Sequence, residues 1–96
     1  MDLYVLVIYD ISDDDLRGQV AQFLKSKGLK RIQKSAFLGP ATPSLIREIE
    51  AGIRRLIRGY ERVNVQIFTL TPASYKSRIV LGDLRYDEEE DSIVLT

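Results

Sequence analysis

Chemistry has few places to reside in this chain. Its 96 residues include neither cysteine nor histidine. That excludes a disulfide frame, a thiolate nucleophile, a cysteine-type zinc site, the usual general base and the commonest zinc ligand. Carboxylate oxygen remains. The stretch "VIYDISDDDLR", Val7 to Arg17, ends an apolar run on Asp10 and adds Asp13, Asp14 and Asp15 within five residues. Oxygen donors alone select a hard divalent cation, Mg2+ or Mn2+, which polarises a phosphate and generates hydroxide without histidine. Asp10 therefore has two readings: a metal ligand at the end of a strand, or a turn cap bonding the backbone N–H of Ser12 or Asp13. One carboxylate is a poor metal site, but a two-fold dimer that juxtaposes two Asp10 side chains supplies a pair. Asp13–Asp15 read as helix-start residues rather than ligands.

The basic residues carry the same kind of choice. Arg17 either clamps a phosphate near Asp10 or pairs with Asp13 or Asp14. Arg31, flanked by Lys30 and Lys34, is a similar case on the next strand. Arg47, Arg54 and Arg58 follow at spacings of seven and four, within about 40° of one line on a helix turning roughly 100° per residue. Arg55 flanks them. Such a stripe tracks a phosphate backbone without reading sequence, or it is a solvated face with a Glu50–Arg54 pair.

Net charge is zero, yet the charges are segregated. Residues 1–15 hold five acids and no base; residues 16–82 hold thirteen Lys/Arg against Glu48, Glu50 and Glu61; residues 83–96 hold six acids against Arg85. A basic body between acidic ends suits an anionic partner such as nucleic acid, or is a mixed surface that merely sorts this way in sequence.

These groups need elements to hold them. Leu3–Tyr9 is apolar at both parities, the pattern of a strand covered on both faces. Ser12 with Asp15 reads as a capping box, opening an amphipathic helix through Leu16, Val20, Phe23 and Leu24 that Gly28 stops. Asp10 thus falls where a strand ends and a helix begins, a usual place for function. "LKRIQKSAFLG" is extended and holds no Gly or Pro before its final Gly39 to mark a turn, so it is one kinked strand or two short ones around Gln33–Ser35. Thr42 caps a second helix with Pro43 at its first position, running to about Arg58, with Gly59 beyond. Its apolar stripe is Leu45, Ile49, Ile53, Leu56 and Tyr60, joined by Ile46 and Ile57. Val63–Leu70 is a third strong strand, ended by Pro72. Arg78–Leu81 and Ser92–Leu95 are candidate short strands around the acidic residues 87–91.

The order favours a single α+β domain over residues 1–96, with a core of about 1–82 and an acidic segment with a last strand over 83–96. Its architecture is ferredoxin-like βαββαβ with an antiparallel sheet. Both helices then pack on one sheet face, and a second copy of the chain is the economical cover for the other. No apolar run approaches the roughly 20 residues that span a bilayer. No signal peptide is visible at the N-terminus, so no membrane association and a cytoplasmic location are expected.

"VIYDISDDDLR" together with "GLKRIQKSAFLG" resembles the CRISPR-associated protein 2 family, the small partner of the CRISPR integrase subunit in spacer acquisition. The resemblance implies a ferredoxin-like homodimer whose C-terminal strand pairs with the partner chain. It implies Asp10 as the catalytic, metal-binding aspartate given once by each chain, with Mg2+ or Mn2+ as cofactor. It also marks Tyr9, Arg17, Arg31, Ser35 and Phe37 as supporting site residues. Two functions follow from it: a metal-dependent endonuclease on RNA or double-stranded DNA in antiviral defence, or a non-catalytic DNA-binding adaptor that scaffolds the integrase.

Overall fold

The computed structural model describes residues 2–83. Strand β1 (Leu3–Ile11) is followed by helix α1 (Asp14–Ser26), strands β2 (Lys30–Gln33) and β3 (Ala36–Ala41), helix α2 (Pro43–Ile57), strand β4 (Val63–Leu70) and a short helix α3 (Pro72–Lys76). The four strands form one antiparallel sheet in the order β2-β3-β1-β4. This is the ferredoxin-like arrangement expected from the element order.

The central strand β1 is pinned on both sides. Leu3 to Ile8 pair with Ala41 to Ala36, and Tyr4 to Ile11 pair with Leu70 to Val63. Alternate residues Val5, Val7, Tyr9 and Ile11 are buried in a core with Leu16, Val20 and Leu24 of α1 and Ile49 and Ile53 of α2. Tyr4, Leu6 and Ile8 point to the other face, where they are only half-buried. Helices α1 and α2 therefore cover one face of the sheet, while the other is met at its Tyr4 end by Tyr75 of α3 and is otherwise open among the described residues. A slip of one residue would bury Asp10 and expose Val5 and Val7, so the register is strongly specified.

Helix α1 starts one residue later than the capping-box reading expects. Asp13, not Ser12, is the N-cap, its Oδ1 accepting from the Leu16 N–H at 2.8 Å. Asp14 and Asp15 then occupy the first turn, where the helix dipole favours them. Gly28 follows the helix with φ +88, a left-handed conformation natural to glycine. Thr42 caps α2 as expected, with Oγ1 accepting from the Leu45 N–H at 3.1 Å. Tyr60 does not extend the α2 stripe; it lies beyond the helix end and is exposed.

The region after the first helix is a hairpin of two strands, not one bent strand. Lys34 and Ser35 make its turn, and the β2–β3 register shifts between Arg31 and Gln33. Tight two-residue hairpin turns need positive φ, yet Arg62 is the one non-glycine residue with positive φ among those described. The irregularity in β2 absorbs the mismatch. Pro72 does more than end β4: Thr71 caps α3, accepting from the Ser74 N–H at 3.1 Å, with Pro72 in the first turn. Arg78–Leu81 forms no strand here; Ile79 and Leu81 are 84% and 90% exposed, so no sheet edge pairs with them. Ser92–Leu95 and the acidic residues 87–91 lie outside the described residues. Among the described residues no helix is long and apolar enough to cross a membrane.

Candidate functional site

The four aspartates of the opening motif divide their labour. Asp13 caps α1 and Asp14 forms an ion pair with Arg17. Asp10 is the next-to-last residue of β1 and is exposed on the open face of the sheet. Its carboxylate has no hydrogen-bond or ionic partner among the described residues. The turn-cap role falls to Asp13 instead.

Arg17 does not reach out as a phosphate clamp. Besides Asp14, its Nη1 donates to the backbone carbonyl of Ile11 at 2.9 Å and to that of Ser12 at 3.3 Å. The guanidinium braces the loop between strand and helix, satisfying carbonyls that leave the sheet ladder there.

Tyr9, Arg31, Phe37 and Ser35 come together, but away from Asp10. Phe37 is opposite Val7 in the β1–β3 ladder and opposite Arg31 in the β2–β3 ladder. That places Arg31 and Phe37 with Tyr9 on the helix-covered face. The Phe37 ring stacks near Tyr9 at 6.3 Å, and the Arg31 guanidinium lies 5.1 Å from the Phe37 centroid. Burial pushes the Tyr9 hydroxyl above the ordinary tyrosine value, while a hydrogen bond with the Arg31 side chain and the charges of Arg31 and Arg17 pull it down. Arg31 Nε is buried without a hydrogen-bond partner, a cost of about 1–3 kcal/mol that the cation–π contact offsets in part. Ser35 contributes its backbone carbonyl, which accepts from the Tyr9 N–H at 2.9 Å. This cluster secures the strand that carries Asp10 and leaves the open face to other residues.

Those residues are on β4. Asp10 is paired in register with Asn64, and Ile8 with Gln66. Gln66 Nε2 donates to Asn64 Oδ1 at 3.1 Å. Asn64 and Gln66 alternate with Val63, Val65 and Ile67, so the sequence pattern marks them only as the polar side of a strand. Their register with Asp10 is what sets them apart. The Asp10 carboxylate is a hard donor suited to Mg2+ or Mn2+, whereas Asn64 Oδ1 is already engaged by Gln66. One carboxylate per chain still calls for a second copy to complete the set, and no cluster of three or more acidic residues forms among those described.

The arginines of α2 lie on the far side of the sheet from Asp10. Arg47, Arg54, Arg55 and Arg58 are all exposed. Arg54 pairs with Glu50 at 2.5 Å, whereas Arg47, Arg55 and Arg58 have no side-chain partner among the described residues. Glu48 is engaged by Lys27 of α1 at 2.9 Å.

Residues 1–78 match the family described as CRISPR associated protein Cas2. A relative from Pyrobaculum aerophilum, "CRISPR-associated endoribonuclease Cas2 2", is 35% identical over 80 residues, covering 83% of this chain and 87% of the relative. A "CRISPR-associated endonuclease Cas1/endonuclease Cas2 fusion" from Thermoproteus tenax is 42% identical over 59 residues; the match covers 62% of this chain and spans 22% of the fusion. Among solved structures, a crystal structure of Cas2 superposes with a TM-score of 0.70 at 25% identity, covering 86% of this chain and 91% of that one. A chain of a partial Cas6-RT-Cas1–Cas2 complex gives 0.68 at 25% identity, covering 84% and 85%.

Proposed function

The chain belongs to the CRISPR-associated protein Cas2 family, and from that premise we propose that it is a metal-dependent endonuclease. It acts as a homodimer on phosphodiester bonds of RNA or double-stranded DNA during spacer acquisition and antiviral defence. The observation that carries this reading is Asp10, a carboxylate without a partner among the described residues, at the end of a doubly pinned strand on the sheet face opposite α1 and α2. The names of the relatives, endoribonuclease and endonuclease, support it. Asp10 from each of two copies would hold the cation, which when bound polarises a phosphate and supplies hydroxide from its water. The β1 ladders and the Tyr9–Phe37–Arg31 cluster keep Asp10 at its station, and Arg17 fixes the loop beyond. The test is cleavage of RNA and duplex DNA by wild type and Asp10→Ala, with Mg2+ and with EDTA. Loss of cleavage in both the variant and EDTA is expected. Metal-dependent cleavage by purified Asp10→Ala rejects Asp10 as the ligand.

A second reading has its own observation. Arg47 and Arg55 on α2 and Arg58 at its C-cap, exposed and without side-chain partners among the described residues, suit a phosphate backbone on a surface separate from Asp10. The fusion and the complex among the relatives support an integrase subunit as partner. On this reading the protein is a non-catalytic adaptor that holds duplex DNA for the integrase. Log affinity for duplex DNA should fall linearly with log salt, by about 0.9 per phosphate neutralised. Replacing Arg47, Arg55 and Arg58 with alanine should flatten that slope equally for all sequences. An unchanged slope returns them to a solvated face.

A further inference from the structure

The open face of the sheet changes character along its length. On β1 it runs Tyr4, Leu6, Ile8 and then Asp10; on β4 it runs Leu70, Phe68 and then Gln66 and Asn64. The apolar part has an obvious use in covering or being covered. The polar end does not, and asparagine is a poor strand former.

Asn64 has a neighbour that orients it. Gln66 Nε2 donates to its carbonyl oxygen, so its amide is assigned with the NH2 group turned away from Gln66. That NH2 group has no partner among the described residues, and neither has the Asp10 carboxylate in register with it. Directly opposed residues in an antiparallel ladder hold their Cβ atoms about 4.5–5.5 Å apart. A strong acceptor and two N–H donors therefore stand side by side, both exposed, without bonding each other. A species that satisfies both carries a cation for the carboxylate and an anionic oxygen for the amide. A metal-bound phosphodiester is such a species.

We propose that Asn64, oriented by Gln66, is a substrate-positioning residue that donates from Nδ2 to a non-bridging phosphate oxygen of nucleic acid bound at the Asp10 metal. This rests on the reading of Asp10 as the metal ligand. Gln66 acts through Asn64 by keeping the donor, not the carbonyl, toward the phosphate.

The test separates metal from phosphate by titrating Mn2+ alone calorimetrically, then measuring a fluorescent RNA or duplex oligonucleotide at saturating Ca2+. Thermal melts check that every variant is folded. Asn64→Ala should leave Mn2+ affinity within twofold and weaken oligonucleotide binding about tenfold, the size of one hydrogen bond to a charged oxygen. Asn64→Asp should tighten Mn2+ at least tenfold by adding a carboxylate, yet weaken the oligonucleotide as much as Asn64→Ala. Gln66→Met removes the donor without adding charge, so it should release the Asn64 amide to turn and move oligonucleotide binding toward the Asn64→Ala loss, which a merely structural role would not. Asp10→Asn reports on the underlying reading: retained Mn2+ binding overturns that reading and this inference with it. If Asp10→Asn loses Mn2+ while Asn64→Ala and Gln66→Met bind metal and oligonucleotide as wild type does, this inference alone is overturned.

Discussion

The two faces of the sheet are made by the same strands, residue by alternate residue, and they answer to different demands. On the helix-covered face Val5 and Val7 are 0% exposed, and Phe37, Leu16 and Leu24 fill the space between. On the open face Leu6 and Ile8 are half-buried and Phe68 is 42% exposed. The first face is complete within one chain. The second, beyond Tyr4 beneath Tyr75 of α3, holds apolar side chains with no cover among the described residues and ends on Asp10, so partner and chemistry are both to be sought there. The difference teaches that the motif "YD" is split by strand alternation: Tyr9 serves the fold and Asp10 the surface.

That division can be broken or sharpened by substitution on either side. The largest contrast is Asp10→Asn, expected to drop metal-dependent cleavage to background in a nuclease assay while leaving the thermal melt unchanged or higher. On the other face Phe37→Ala should cost about 3–5 kcal/mol in urea unfolding, because the cavity lies among fully buried neighbours. If Phe37→Ala were as stable as wild type, the covered face would not be the core described here. Phe68→Asp on the open face should leave monomer stability intact but weaken self-association at least a hundredfold, about 2.7 kcal/mol, in sedimentation velocity. A wild-type chain that sediments as a folded monomer at micromolar concentration would remove the homodimer from the proposal. Gly52→Ala tests the helix pair above the covered face. An added methyl would come within 2.2 Å of the Phe23 ring, so a loss of about 1–3 kcal/mol is expected despite alanine's better helix propensity.

The smallest effect is a pH dependence. The Tyr9 hydroxyl titrates higher in the folded state than in the unfolded chain, chiefly through burial. The stability it contributes is therefore fully present below the unfolded value near 10 and is lost as pH rises through the folded value. Tyr9→Phe should hold its stability better than wild type over that alkaline range, and the difference between their melts isolates this group from the lysines. Parallel decline of the two would place the Tyr9 hydroxyl in water.

Much of this organisation is legible in the residues themselves. Apolar alternation and helical periodicity locate β1, α1, α2 and β4, because each buries one stripe against a single core. The hairpin is harder to read, since the turn at Lys34–Ser35 uses no Gly or Pro and a register irregularity does their work. Helix α3 is five residues long, too short for periodicity. A signal was nonetheless present: "TPS" before α2 and "TPA" before α3 share the same Thr-Pro start. At the site, the residue types point to Asp10, but the motif lumps it with Tyr9, Arg31 and Phe37, which parity sends to the other side of the sheet. Asn64 and Gln66 become visible only with the β1–β4 register, because no local pattern relates them to Asp10.

Helix α3 is held to the start of β1 by a stack of flat groups. The rings of Tyr4 and Tyr75 lie 3.7 Å apart and 2° from parallel, and the Arg78 guanidinium sits 3.8 Å from the Tyr75 centroid. The chain contains no tryptophan and five tyrosines, so its near-ultraviolet optical activity comes largely from phenol rings. Two of the five form a rigid pair close enough for their transitions to couple. Docking of α3 onto the sheet thus carries its own chiroptical signal, distinct from the core, and anything that engages the segment after residue 76 can be followed by light without attaching a label.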